Sequence, residues 1–314
     1  MSIRSFLKLA EIQTKVASMI PFLLGNAYAI YHFKRFNILN FMIMLISLLT
    51  FDMLTTTINN YIDYKKARKT YGYNYETHNA IIRDNIKESA VWITIMILLL
   101  IASTTGFILF LRTNIIILIL GILSFITGIL YSFGPIPISR MPLGEIFSGL
   151  FMGFMIVFIS IYIHIYDIGI VDIVYQNEIL TLNLNLKEII YIFLISLPAV
   201  IGIANIMLAN NICDMEDDII NKRYTLPIYI GKDRSLRIFK ILYYIIYIDI
   251  ILLVILYISP IFTLATLFTF IIVKKNIRIF FEKQSKKDTF VTAVRNFTLI
   301  NLIHVLMIGI GILL

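Results

Sequence analysis

An all-α, polytopic membrane bundle is the fold this chain predicts, and three observations predict it. Apolar residues make up 59% of the 314 residues and mean hydropathy is +0.88, against roughly 45–50% apolar content in soluble domains. These residues gather into runs near the length a spanning helix needs, about 20 residues. The cations lie mostly between the runs.

In chain order the candidate spans are residues 16–31, 38–60, 91–111, 114–132, 143–166, 189–211, 238–257, 259–273 and 290–313. The eighth is short and meets Pro260 at its start, so seven to nine spans are compatible with the runs. Lys8, Glu11 and Lys15 precede the first run and no small-x-small cleavage site follows it, so the first helix is expected to be retained. The whole of 1–314 reads as one integral-membrane domain. A pseudo-repeat of 1–142 and 143–273, with a final helix at 290–313, is suggested by similar motifs on the second and sixth spans.

Cation placement predicts orientation. With the N-terminus inside, 23 of the 27 Lys and Arg fall on inside segments, and only Lys34, Arg35, Arg112 and Lys187 fall outside. The expectation is a multi-pass cell-membrane protein with a cytoplasmic N-terminus and membrane lipid as its surroundings. The net charge of +8 is thereby accounted for without a nucleic-acid partner. A single cysteine, Cys213, excludes an intrachain disulfide and a multi-cysteine metal cluster.

Two stretches break the apolar pattern, both on the expected cytoplasmic side. Asn210 to Gly231 reads NNICDMEDDIINKRYTLPIYIG, and a continuing helix would set Asp214 and Asp218 on one face with Asn211 a turn earlier. TTINNYIDYKKARK repeats the theme, with Asn59 and Asp63 four apart and Lys65, Lys66, Arg68 and Lys69 behind them. An ionised side chain costs about 2.5–3.5 kcal/mol at the centre of a membrane helix and less at its end. Solvated helix ends would explain the acids alone. They do not explain two acid-and-amide faces, each trailed by cations. Oxygen-only ligands suit Mg²⁺, which takes one or two carboxylates plus waters and phosphates. Lys222 and Arg223 are placed to neutralise a departing diphosphate.

The second stretch resembles the D-x-x-x-D motif of the UbiA superfamily of intramembrane prenyltransferases. NN-x-x-D-x-x-x-D-x-x-x-K-R-x-T-L, from Asn210 to Leu226, is similar to the 1,4-dihydroxy-2-naphthoate polyprenyltransferases (MenA). YSFGPIPISRMPLGE, Tyr131 to Glu145, resembles that group's Y-x-x-GP-x-P segment ending in LGE. The resemblance implies about nine helices around a central cavity, open to the cytoplasm and laterally to lipid. It also implies Mg²⁺ as cofactor, a polyprenyl diphosphate donor and an aromatic acceptor. Carried over, Asn59 and Asp63 match the first metal motif, and Asp214 and Asp218 the second. The chain departs from the pattern at Asn60 and Ala67, where acids are expected, at Cys213 for Arg, and at Asn221 for Gly. The metal load thus falls on Asp63, Asp214 and Asp218, with Asn59 or Asn60 as neutral ligands.

The implied reaction passes the prenyl group to 1,4-dihydroxy-2-naphthoate with loss of diphosphate and CO₂, giving demethylmenaquinol for menaquinone. Another acceptor, such as 4-hydroxybenzoate, uses the same donor logic. A secondary transporter also has many spans and buried acids, but places them near mid-membrane. Further candidates for substrate contact are Lys65, Arg68, Tyr131, Arg140, Glu145 and Asn211. Asp52, two turns deeper than Asn59, either meets the acceptor's hydroxyls or is a buried acid bonded to a neighbouring Thr or Tyr. Structural pairing is expected for Asp249, an interface or packing role for His32, His164 and His304, and packing for Cys213. Asn74, His78 and Asn79 lie in a loop able to fold over the site as a lid.

Overall fold

The computed structural model describes residues 1–66, 79–132, 134 and 137–314. Among these, seven helical rods are long and apolar enough to cross a membrane. They comprise α2 (Val16–Phe33) with the 3-10 turn before it, α3 (Ile38–Lys66), α5 (Glu88–Arg112), and a rod from Gly144 to Ile165. The others are α9 (Leu186–Cys213), α12 (Lys232–Ile255) and α14 (Val291–Leu313). Each of the nine expected segments is helical, but two fall short of a full span. Helix α6 (Ile115–Ser132) is shorter. The segment after Pro260 opens as a 3-10 helix, Ile261–Thr269, before becoming α13 (Phe270–Glu282). Its sequence explains the tighter winding: in a 3-10 helix residues i and i+3 eclipse, and Thr263, Thr266 and Thr269 are all buried on one edge.

Both ends of the bundle are held by polar contacts. At one end His164 Nε2 meets Asn26 Oδ1 at 2.6 Å and its Nδ1 accepts from the Asn37 amide at 2.9 Å. Arg112 Nε donates to Asn40 Oδ1, and His32 pairs with Glu188 at 2.9 Å. This end also carries an antiparallel hairpin, β1 (Val171–Gln176) and β2 (Ile179–Leu184). Asn177 and Glu178 both take positive φ, the geometry a two-residue turn needs to match strand twist. Outside the nine expected spans, this segment has the residues for strands: Val171, Ile173, Val174 and Tyr175 are strand-forming types before an Asn-led turn.

At the opposite end sit the short helices α1 (Ile3–Leu9), α4 (Ala80–Arg83), α10 (Met215–Ile220) and α11 (Leu226–Ile230). The outer faces suit lipid: on α5, Ile93, Met96 and Leu100 are exposed.

The 144–165 rod is not uniform. Between α7 (Gly144–Ser148) and α8 (Ile156–Ile165) lies a π-helical run, Gly149–Met155. Here the two glycines meet α9 closely, as expected for small residues at a membrane helix seam. A Cβ on Gly153 would come within 2.5 Å of Val200 Cα, and one on Gly149 within 2.8 Å of the Val200 carbonyl. Both obstacles are backbone and cannot turn aside.

A buried ion pair joins the first helices. Lys15 Nζ contacts Asp52 Oδ1 at 2.7 Å, the Asp52 carbonyl at 3.1 Å and Thr56 Oγ1 at 2.7 Å, using all three ammonium protons. Ser18 Oγ donates to Asp52 Oδ2. The partner of Asp52 is therefore chiefly a lysine, with no Tyr involved. Asp249 differs from expectation: both its carboxylate oxygens are buried with no hydrogen-bond partner among the described residues. His304 is likewise buried without one.

Two outcomes test this packing. Gly153→Leu should destabilise the protein by at least about 1–3 kcal/mol through overpacking, visible as a lower melting temperature in detergent. Lys15→Met should cost about 3–5 kcal/mol by stranding the Asp52 carboxylate. The double variant Lys15→Met/Asp52→Leu should regain most of that loss in the same melt.

Candidate active site

The second acidic stretch folds by breaking its helix. Helix α9 ends at Cys213, Asp214 leaves helical ψ, and α10 restarts at Met215. The Asp218 amide still donates to the Asp214 carbonyl at 2.7 Å, so the acids remain one turn apart, and both are buried. Helix α10 closes with the Arg223 amide on the Asp218 carbonyl at 2.8 Å and the Lys222 amide on the Ile219 carbonyl at 3.1 Å. Lys222 takes φ 55° at the position where glycine is usual. That turn sends Arg223 back across the first acid of the other stretch.

Arg223 Nη2 donates to Asp63 Oδ1 at 2.6 Å. Residues 160 apart in sequence thereby bring α3 and the end of α10 together. Asp214 also carries a cation: Lys286 Nζ, from the turn between α13 and α14, pairs with its Oδ2. Asp218 accepts from Thr225 Oγ1 at 3.3 Å. Burial pushes the Asp218 carboxyl up to about 6, with neighbouring Asp214 adding to the rise and Arg223 opposing it.

Among the described residues, no three His, Cys, Asp or Glu side chains cluster closely enough to hold a metal by themselves. Cations occupy two of the three acids. The donor chemistry nevertheless fits a hard cation, because the side chains are carboxylates and amides, and Mg²⁺ fills its shell with waters and phosphate oxygens.

Asn59, Tyr131, Asn211, Asp218, Arg223 and Asp52, all nominated from the sequence, line one cavity of about 770 Å³, and Asn210 joins them. Asp63 and Asp214 are not among the lining residues; Arg223, which is, contacts Asp63. Asn211 Nδ2 donates to Glu145 Oε1 at 2.8 Å, while Glu145 Oε2 is buried without a partner. Tyr131 Oη lies 3.3 Å from Met207 Sδ. The Arg140 carbonyl accepts from the Tyr224 amide at 3.0 Å, joining the loop before α7 to the segment after α10.

Three nominations end up elsewhere. Asn60 turns from the cavity and donates to the Leu9 carbonyl and to Glu11 Oε1, because α1 packs there. Lys65 pairs with Glu88 at 2.7 Å on α5. Asn79 caps α4 and donates to the Asn60 carbonyl at 2.9 Å. Arg68, Ala67, Asn74 and His78 lie outside the described residues. Sequence reading missed Lys15 and Lys286, which it counted only as topogenic cations.

The cavity walls are apolar and aromatic, with Phe51, Phe107, Phe125, Phe147 and Phe151 among them. Phe107, Ile122 and Ile126 both line it and are 53%, 51% and 50% exposed, so it reaches the lipid-facing surface between α5 and α6. Five of its polar groups, Asn59, Asn210, Asn211, Asp218 and Arg223, belong to the ends of α3 and α9 and to the segment that follows α9, while Asp52 lines it two turns deeper. A pocket of this kind fits an amphiphile with a charged head and a long apolar tail.

The 1,4-dihydroxy-2-naphthoate octaprenyltransferase of Bacillus subtilis (strain 168) is 30% identical over 244 residues, 78% of this chain and 71% of its own. A UbiA homolog from Archaeoglobus fulgidus, solved bound to DMAPP and Mg²⁺, has a TM-score of 0.66 at 14% identity, covering 99% of both chains. The apo UbiA homolog from Aeropyrum pernix K1 has a TM-score of 0.64 at 16% identity, covering 96% of this chain and 98% of its own. The two structures speak for the fold. The UbiA prenyltransferase family model matches residues 18–302, and the chain belongs to that family: it is a multi-pass membrane prenyltransferase.

Proposed function

We propose that this prenyltransferase moves a polyprenyl group from polyprenyl diphosphate to 1,4-dihydroxy-2-naphthoate, with loss of diphosphate and CO₂, to give demethylmenaquinol. The observation that carries the reading is the Arg223–Asp63 contact at the polar end of an apolar cavity, which gathers both acidic stretches around one place for a diphosphate. The acceptor assignment rests on the Bacillus subtilis relative named for that naphthoate. Magnesium is supported by the Archaeoglobus fulgidus homolog, which was solved with DMAPP and Mg²⁺.

Asp63, Asp214 and Asp218, with Asn59, are the residues to hold Mg²⁺. Bound there, the ion supplies Lewis-acid charge to the leaving diphosphate. Arg223 and Lys222 add positive charge where the C–O bond breaks and its electron pair passes to the diphosphate oxygen. The aromatic walls keep water from the allylic cation. Asp52, paired with Lys15 and lining the cavity, accepts a hydrogen bond from an acceptor hydroxyl and raises the electron density of the ring. The ring carbon that bears the carboxylate takes the prenyl group, and the carboxylate departs from it as CO₂ with its bonding pair returning to the ring. Tyr131, Arg140, Glu145 and Asn211 border the acceptor end. The mouth and the N-terminus face the cytoplasm, in keeping with the cation bias.

Purified protein given Mg²⁺, a polyprenyl diphosphate and a panel of aromatic acids should yield a decarboxylated prenyl-naphthoate by product mass. Product only with 4-hydroxybenzoate would replace the acceptor assignment. Asp63→Ala and Asp214→Ala should each cut turnover by at least about 10²–10³-fold, with expression and melting temperature kept. EDTA should abolish product and added Mg²⁺ restore it. Turnover that survives EDTA would remove the metal from the scheme.

A further inference from the structure

Lys286 is a residue the proposed mechanism does not yet use. It belongs to the connection between α13 and α14, far in sequence from either acidic stretch, and it lies on Asp214. It does not hang from a loose loop. Ser285 and Thr289 exchange hydrogen bonds, the Ser285 amide donating to Thr289 Oγ1 at 2.9 Å and the Thr289 amide to the Ser285 carbonyl at 2.9 Å. Asp288 is tied to Lys283 at 2.7 Å and to Ser285 Oγ at 3.1 Å, and Gln284 donates to the Phe280 carbonyl at 2.6 Å. Phe290, at the end of this braced turn, lines the cavity itself. Lys286 is thus presented to the mouth by a built turn, with its side chain three-quarters covered.

Charge accounting at the mouth gives this placement its meaning. Asp63 is matched by Arg223 and Asp214 by Lys286. A divalent cation arriving alone must break both pairs and would then face two displaced cations across a few ångströms. A divalent cation arriving with diphosphate meets no such penalty, because each displaced side chain finds phosphate oxygens to bind. The flexible four-carbon stem of a lysine allows that short transfer. Metal and diphosphate should therefore assist each other's binding, a coupling reciprocal by thermodynamic necessity.

Resting on the metal–diphosphate reading above, we propose that Lys286 is a ligand of the donor's diphosphate that, until the donor arrives, occupies Asp214 and holds divalent cations off the second acidic stretch. The probe is Mn²⁺, followed by the fall in its free-ion EPR signal in the presence of the full-length protein in detergent, with and without inorganic pyrophosphate. Wild type should bind Mn²⁺ weakly alone and at least about tenfold more tightly with pyrophosphate. Lys286→Met should bind Mn²⁺ alone more tightly than wild type, by several-fold, and lose most of the pyrophosphate gain. Lys286→Arg should keep that gain, and Lys287→Met, one residue on, should behave as wild type. Because the arginine variant retains the charge, it serves the test even where the methionine variant is poorly folded: the loss of its pyrophosphate gain would count against the proposal. Unchanged Mn²⁺ affinity and unchanged coupling in folded Lys286→Met would overturn the role of Lys286 alone. Wild type that binds Mn²⁺ at neither condition would overturn the metal–diphosphate site as well.

Discussion

A single ion pair ties the two halves of the mouth together. Asp63 ends one membrane helix and Arg223 follows another, and their contact at 2.6 Å closes a loop through 160 residues of chain. Such a contact is made only if α3 and α9 stop at the same depth and α10 turns back sharply. The turn depends on Lys222 in left-handed geometry, which places Arg223 across the gap. The pair is partly open to solvent, with side chains 29% and 39% exposed, so its worth in stability is small. Its importance is positional. It sets charged groups at one end of an apolar cavity.

The remainder of the bundle keeps that end in register. Glycines let the rod from 144 to 165 approach α9 closely. Buried amides then stitch helices through backbone carbonyls: Asn205 to Phe239, Asn301 to Pro198 and Asn40 to Ile163. In lipid, where neighbouring tails offer no hydrogen bonds, side-chain-to-carbonyl contacts of this sort specify which helix lies beside which. The Lys15–Asp52 pair does the same for the first two spans, with charge in place of amide.

Much of this was legible from residues alone because membrane chains write their spans as long apolar runs, and each of the nine runs is helical. The two acidic stretches were legible because carboxylates are costly there and therefore conspicuous. What stayed hidden was pairing between distant segments. Lys15 and Lys286 each read as one of many inside cations, since sequence carries no distance. Asn60 was nominated by motif position, but a helix tip presents side chains around its whole circumference, and α1 claimed that side. The hairpin escaped notice because its alternation is short and its turn lacks glycine. The 3-10 winding after Pro260 left a trace, a threonine at every third position, that a search for twenty-residue runs passes over.

The π-helical run at Gly149–Met155 has a consequence for how the cavity can change over evolutionary time. Its wide turns let one rod show Gly149 and Gly153 to α9 while Phe151, Met152 and Met155 face the hollow. Removing one residue from the α-helical turns of α8 would instead rotate everything beyond it by about 100°, swinging His164 away from Asn26 and prising the end of α8 from α2. Swapping a phenylalanine for something smaller disturbs none of that. Room for a longer or shorter isoprenoid is therefore open to adjustment by side-chain bulk, whereas the number of residues in α8 is locked.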